Sequence, residues 1–318
     1  MRHPICVFLL ILILFPVAAA LAQRDAWIRH SSEPIALPSG SRVEFATMTS
    51  EALGEEASYS VFLPPSYGSS DAKYPVVYFL HGLFNDHTSW TIDRHGNIPE
   101  LVDDLMAKKT LREMVLVFPD GGRSFYTNYR DGTMRYEDFI VEELPRHVEA
   151  GYRVSSGRTH RAIAGTSMGG YGALKIAMRH PTRYAAAAAH SAIIFPVPNP
   201  LDVPEAARSA RSYQYLGTVF RTIFGDPFDQ EYFDANNPLE LARKAELDGL
   251  ALYFDYGTAD RYNRSVGLGA GNQKLDQVLS KNGVDHEFHE HEGEPHGWAL
   301  VYAHIPESLG FLAEHLAP

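Results

Sequence analysis

Cysteine is nearly absent from this 318-residue chain: the single one, Cys6, lies in the N-terminal segment and not in the body. A disulfide scaffold is therefore excluded, and the body can use neither a thiol nucleophile nor a thiolate metal site. Basic charge is also scarce. The 28 Lys and Arg are outnumbered by 39 Asp and Glu, for a formal charge of −11. That balance argues against a partner whose phosphates must be neutralised, so nucleic acid is not expected. There is no repeat or low-complexity segment and no fixed Gly or Pro period, which removes the collagen-like, solenoid and disordered classes.

Long apolar runs are limited to one. Arg2 and His3 precede a nearly unbroken apolar stretch from Ile5 to Leu21, and Ala20-Leu21-Ala22 stands before Gln23. A charged start, a short apolar core and small residues at the minus-three and minus-one positions are the layout of a secretory signal, with cleavage after Ala22. The run is at the short end of the ~17 to 25 residues that span a bilayer, and it contains Pro16. Residues 1–22 are therefore expected to be a signal peptide and the product secreted or periplasmic, with membrane contact only through an uncleaved signal.

The whole chain is 45% hydrophobic, enough for one large core. Residues 23–40 read as an arm punctuated by Pro34, Pro38 and Gly40. From residue 41 to 318 strands and helices alternate. Two antiparallel strands, Val43 to Thr49 and Tyr59 to Leu63, come first. Continuous apolar runs typical of strands buried on both faces follow: Pro75 to Leu80, Met114 to Phe118, Arg161 to Ala164, Tyr184 to Ala189 and Leu250 to Phe254, with Val284 to His291 last. Between them, Ile98 to Lys108, Tyr136 to Ala150, Gly170 to Arg179, Leu239 to Ala245, Asn272 to Lys281 and Ala299 to His315 carry helical spacing. Pro145 predicts a kink or a short first half in the second helix. The pattern predicts one α/β domain with a mostly parallel central sheet, helices on both faces and ligands at the carboxyl ends of the strands. Residues 195–234, rich in Pro and aromatics, interrupt the alternation and are expected to form a small cap. Its aromatics from Tyr213 to Phe233 suit a cap core better than a substrate platform.

The chemistry concentrates in Gly165-Thr166-Ser167-Met168-Gly169, which follows an apolar strand and opens a helix. G-x-S-x-G alone is weak, but strand, motif and helix together describe a nucleophile elbow, in which the serine backbone is strained and strand and helix approach too closely for a Cβ. Serine needs a base within hydrogen-bond reach and an acid to orient it, and on this fold the chain order is Ser, acid, His. His81, His87 and His95 precede Ser167 and drop out as the base. His296, in the loop between the last strand and the last helix, is the expected base; His286, His289 and His291 fall within the strand pattern. Asp260 is favoured over Asp255 as the acid, because it lies past a Gly-Thr turn in the loop and not at the strand end. The oxyanion donors are expected to be the N–H groups of Met168 and of Leu83, the latter in Leu80-His81-Gly82-Leu83 after the first parallel strand.

With these residues in view, the sequence resembles the putative-esterase family of α/β-hydrolases. That family includes S-formylglutathione hydrolases, feruloyl and acetyl-xylan esterases, tributyrin-type esterases and the mycolyltransferases of the antigen 85 group. The likeness rests on Leu63-Pro64-Pro65-Ser66-Tyr67, Leu80-His81-Gly82 with Trp90, Pro119-Asp120-Gly121-Gly122 with Tyr126 and Asn128, Gly165 to Ala173, Phe224-Gly225-Asp226-Pro227, Gly257-Thr258-Ala259-Asp260 and His296-Gly297-Trp298. It implies an α/β-hydrolase fold and a Ser167–Asp260–His296 triad with Leu83 and Met168 as oxyanion donors. His81, Trp90, Tyr126, Asn128, His190 and Trp298 are expected to contribute to the substrate pocket. His190-Ser191 stands where relatives often carry a smaller pair, so His190 is expected to narrow the acyl side.

The resulting expectation is an exported serine esterase acting on short-chain or carbohydrate-linked esters through an acyl-enzyme. Acyl transfer to a sugar alcohol and a non-catalytic binding protein on the same fold are the alternatives. The export signal disfavours S-formylglutathione, a cytosolic substrate. No cofactor is expected. No metal is expected either: the strand histidines 286, 289 and 291, with His296, invite that reading, but alternating His and Glu also describes a solvated edge strand. Gly267 to Gly271 lacks the preceding strand and spacing of a dinucleotide loop.

Overall fold

The computed structural model describes residues 33–202, 211–244 and 246–317; the expected signal and the start of the arm lie outside them. Nine strands form one sheet in the order β1-β2-β3-β5-β4-β6-β7-β8-β9. They are β1 Ile35–Ala36, β2 Arg42–Ser50, β3 Glu55–Leu63, β4 Val76–Leu80, β5 Val115–Pro119, β6 Arg161–Thr166, β7 Ala186–His190, β8 Ala251–Gly257 and β9 His286–His291. Pairing is antiparallel from β1 through β3 to β5 and parallel from β5 to β9. This is the mostly parallel α/β sheet that the alternation predicts and the α/β-hydrolase fold that the resemblance implies, with a two-residue strand added from the arm.

The register positions the site. Leu80 pairs with Gly165, Gly165 with Ala189, Ala189 with Phe254 and Phe254 with Phe288. The loops after β4, β6, β7, β8 and β9 therefore leave the sheet along one edge.

Helices cover both faces. Toward one face lie α2, assembled from Tyr136–Asp138, a π turn Phe139–Glu143 and Leu144–Gly151, then α3 Met168–Arg179, and later α6 Pro238–Lys244 and α8 Leu268–Lys281, the short α7 Tyr262–Ser265 preceding α8. On the other lie α1 Ile98–Ala107 and α9 Trp298–His315. Strand parity separates the two cores: Ala187, Ala189, Leu252 and Phe254 face the α3 side, while Ala186, Ala188, Ala251 and Tyr253 face α9. The alanines of β7 let α3 and α9 pack closely on it from opposite sides.

Pro145 does not shorten α2. The helix widens into a π turn just ahead of the proline, which redistributes the hydrogen bonding around the missing N–H. In the cap region α4 Arg211–Phe224 and α5 Gln230–Asp234 are helical. Phe220, Phe224, Phe228, Tyr232 and Phe233 contact one another edge to face or tilted, and Phe220 reaches Phe195 and Phe125. These aromatics form a packed extension of the α3-side core. Tyr213 has no described side chain. Among the described residues, no helix is long and apolar enough to cross a membrane.

Candidate active site

Ser167 joins β6 to α3 with φ 57° and ψ −114°, a left-handed conformation that few residues other than glycine adopt. Both flanking glycines are required by space. A Cβ on Gly165 would lie 2.4 Å from the Gly169 backbone, and one on Gly169 would lie 1.9 Å from the Leu80 carbonyl oxygen. The turn is further held by Ser167 N–H donating to the His190 carbonyl at 2.9 Å. The serine thus projects from the edge where the β4, β6 and β7 loops meet.

His296 reaches it from the loop between β9 and α9. Its Nε2 is 3.1 Å from Ser167 Oγ, and its Nδ1 is 2.5 Å from Asp260 Oδ2. The other carboxylate oxygen of Asp260 accepts the Tyr262 N–H at 2.8 Å, and Asp260 is buried. Both oxygens are therefore directed. Tyr262, which the sequence did not single out, also sets its ring edge-on to His296 with centroids 4.7 Å apart.

The Gly82 backbone lies against Ser167: a Cβ there would be 3.5 Å from Ser167 Cβ. Neither Leu83 N–H nor Met168 N–H donates to a protein acceptor among the described residues, and Met168 opens α3, where the first turn has no intrahelical partners. Met168, at the positive end of α3, directly follows Ser167, and Leu83 directly follows Gly82, an arrangement suited to a developing oxyanion.

Each of the six expected pocket residues is engaged in packing or hydrogen bonding within the protein. His81 is fully buried; its Nε2 accepts the Gly121 N–H at 2.9 Å and its Nδ1 faces the Gly82 carbonyl at 2.9 Å. It bolts the loop after β4 to the loop after β5. Tyr126 is also buried, donating to the His81 carbonyl, and its ring fills the space left by Gly121 and Gly172. Trp90 is buried in the α9-side core, stacked on Phe118 and edge-on to Trp298. Trp298 itself stacks on His95 at 4.5 Å. Asn128 accepts the N–H groups of Glu137 and Asp138 and so caps α2. His190 does not narrow the acyl side. Its parity on β7 points it under α9, where Nδ1 is 2.7 Å from Asp255 Oδ2 and Nε2 is 2.9 Å from Ser308 Oγ.

Asp255, the alternative acid, is committed to that buried cluster. Burial alone would raise its carboxyl, but His190 and then His291 hold it down at about 2. It stands beneath the sheet edge and Asp260 stands at His296.

A second buried network supports α3. Lys175 Nζ, fully buried, donates to Glu137 Oε2 at 2.6 Å, to the Tyr126 carbonyl at 2.5 Å and to Thr127 Oγ1 at 3.1 Å. Arg179 and His180 hold Glu137 Oε1, each at 2.8 Å. Burial pulls Lys175 down and Glu137 raises it, leaving it at about 8. Burial would raise Glu137, but Lys175, His180 and Arg179 carry it well below the carboxylate range. The network fixes the helix that presents Met168.

An aromatic pair adjoins the loop after β4. Phe84, one residue past Leu83, is 66% exposed, and its ring lies 5.3 Å from that of Tyr215 on α4. The Arg123 guanidinium sits over Tyr215.

Residues 50–312 match the profile of the family described as Putative esterase. Among curated proteins, Esterase Rv1288 of Mycobacterium tuberculosis is 31% identical over 265 residues, covering 79% of this chain and 55% of that protein. The chain thus spans about half the length of that relative. An acetyl esterase of Caldicellulosiruptor saccharolyticus is 26% identical over 75% of this chain and 83% of its own. Among solved structures, a ferulic acid esterase superposes with a TM-score of 0.69 at 27% identity, over 87% of this chain and 99% of that one. An S-formylglutathione hydrolase from Agrobacterium tumefaciens gives a TM-score of 0.71 at 20% identity, over 90% and 99%, a likeness of fold.

Proposed function

The chain belongs to the putative-esterase family of α/β-hydrolases, and on that premise we propose that it is a serine hydrolase of carboxylic esters working through an acyl-enzyme. The observation that carries this is the hydrogen-bonded line from Asp260 through His296 to Ser167, at 2.5 and 3.1 Å.

In this reading His296 Nε2 takes the Ser167 proton as Oγ attacks the ester carbonyl. The Leu83 and Met168 N–H groups hold the oxyanion, and Asp260 keeps His296 in the tautomer that accepts on Nε2. The C–O bond to the alcohol then breaks and His296 returns the proton to the departing oxygen. Water, deprotonated by the same imidazole, attacks the acyl-enzyme and releases the acid.

The substrates proposed are short-chain or carbohydrate-linked esters. Two of the relatives are named for acetyl and ferulic acid esters, and the exposed Phe84 beside Tyr215 offers a flat apolar rim for an acyl or aromatic group. Export is part of the proposal and is supported by the charged start, apolar run and Ala20-Leu21-Ala22 of the N-terminal segment. Fluorophosphonate labelling with peptide mapping, combined with a panel of p-nitrophenyl acyl esters and acetylated and feruloylated glycans, tests it. Labelling confined to Ser167 and turnover of at least one ester are expected. Turnover without labelling of Ser167 would overturn the acyl-enzyme.

A further inference from the structure

Strand parity brings a second cluster of ionisable side chains together under α9, away from the Ser167 line. His291 ends β9, Glu294 follows in the loop, and His304 projects from the second turn of α9. One potential ligand atom from each lies within 4.8 Å of the other two. The two imidazoles are stacked with centroids 3.4 Å apart and planes 13° from parallel. His304 Nε2 is 3.0 Å from Glu294 Oε1.

Two nitrogens of the cluster, His291 Nε2 and His304 Nδ1, are shielded from solvent and make no hydrogen bond of good geometry. Each nonetheless faces a carboxylate: Asp255 Oδ2 is 3.4 Å from His291 Nε2, and Glu307 Oε2 is 3.6 Å from His304 Nδ1. Each ring therefore has an outer carboxylate ready to take one N–H, while the other nitrogen of His304 turns to Glu294 Oε1. That is the usual environment of a metal-bound histidine, in which an outer carboxylate fixes the tautomer and orients the ring.

We propose that His291, Glu294 and His304 form a site for a divalent transition-metal ion of the zinc type, with Asp255 and Glu307 as the outer carboxylates. Two imidazoles and one carboxylate are a nitrogen and oxygen set suited to zinc. Ligands about 2.0 to 2.1 Å from a tetrahedral ion are separated by about 3.4 Å, so a small side-chain adjustment from the observed spacing closes the site. Side-chain exposures of 13% for His291, 15% for His304 and 34% for Glu294 leave an entry path and a fourth position for water. The role is structural: the ion ties the end of β9 and the loop leading to His296 onto α9. The sequence pattern pointed to histidines of one strand, whereas the set found here needs His304 from the helix that crosses it.

The test is calorimetric titration of Zn(II) into the tag-free full chain with Ser167 phosphonylated, so that the reacted site is the same in every variant. One equivalent bound in the micromolar range or tighter is expected. His304→Ala and Glu294→Gln should each weaken it at least ten-fold, while His289→Ala, on the same strand outside the cluster, should leave it unchanged. Co(II) should give the visible absorption of a tetrahedral site in the wild type and not in His304→Ala. Zinc at a hundredfold excess over its Kd should raise Tm by about 5 °C. Should either variant fail to fold, protection of His291 and His304, but not His289, from diethylpyrocarbonate by zinc in the wild type decides the question. Absence of saturable uptake, uptake that survives His304→Ala, or equal protection of all three histidines would overturn the site.

Discussion

Gly257 lies directly beneath Glu294: a Cβ at position 257 would sit 2.0 Å from the Glu294 carbonyl oxygen. The same carbonyl accepts the Ala259 N–H at 3.1 Å. Asp260 is the next residue in the turn and His296 is two residues past Glu294. The carboxylate and the imidazole therefore meet because their backbones are fastened first, and the glycine is there for space.

Gly257→Ala should separate the two side chains without reaching either of them. We expect kcat/KM for p-nitrophenyl acetate to fall at least ten-fold, since a misplacement of about 1 Å costs that much or more, with a native circular dichroism spectrum and a stability loss of about 1 to 3 kcal/mol. Wild-type kcat/KM would show that the backbone junction does not set the Asp260–His296 contact.

The two aspartates near the β8 end should part company on mutation. Asp260→Asn, which keeps the shape but disfavours the productive imidazole tautomer, should lower kcat by about 10³- to 10⁴-fold with little change in Tm. Asp255→Asn should do the reverse. Its carboxyl is held at about 2 in the folded chain, below the ~3.9 of an unfolded aspartate, so the charged form stabilises the fold by about 2 to 3 kcal/mol. That contribution is fully present above about pH 5 and is lost as the pH falls toward 2. Asp255→Asn should therefore lower Tm near neutrality and flatten the acid limb of a Tm-versus-pH curve. An Asp255→Asn enzyme with the kinetic defect assigned to Asp260 would reverse the assignment of the acid.

Glu137 neutralises Lys175 in a setting from which water is excluded. Removing it leaves a buried ammonium without its partner, and Glu137→Ala should cost about 3 to 5 kcal/mol in urea unfolding. Glu137→Ala combined with Lys175→Met should recover part of that loss. If the double variant is no more stable than the single one, the cost does not come from the stranded charge.

Much of this was legible in the sequence because physical necessity narrows the choice of residue. The elbow leaves no room for a Cβ at Gly165 or Gly169, so its glycines were visible as a motif. The apolar runs from Val76 to Phe254 had to be strands covered on both faces. Parity was the neglected signal. His190 was expected at the pocket because it ends a strand there, yet it shares the alternation of Ala186 and Ala188, which face α9. Asp255 shares that of Ala251 and Tyr253, and the same rule sends His291 toward His304. Lys175 and Glu137 were invisible for a different reason. Nothing in either local pattern marks a charged residue for burial, and only the packing of α2 on α3 brings them together. Trp90 and Tyr126 carried the family motif, but Trp90 packs in the α9-side core and Tyr126 fills the space beside Gly121 and Gly172.

The most direct measurement is the turnover of p-nitrophenyl acetate by the wild type and by Ser167→Ala, purified in parallel. A loss of about 10⁴-fold or more in kcat, with the fold and Tm retained, is what the Ser167–His296–Asp260 line predicts. Unchanged hydrolysis by Ser167→Ala would contradict it.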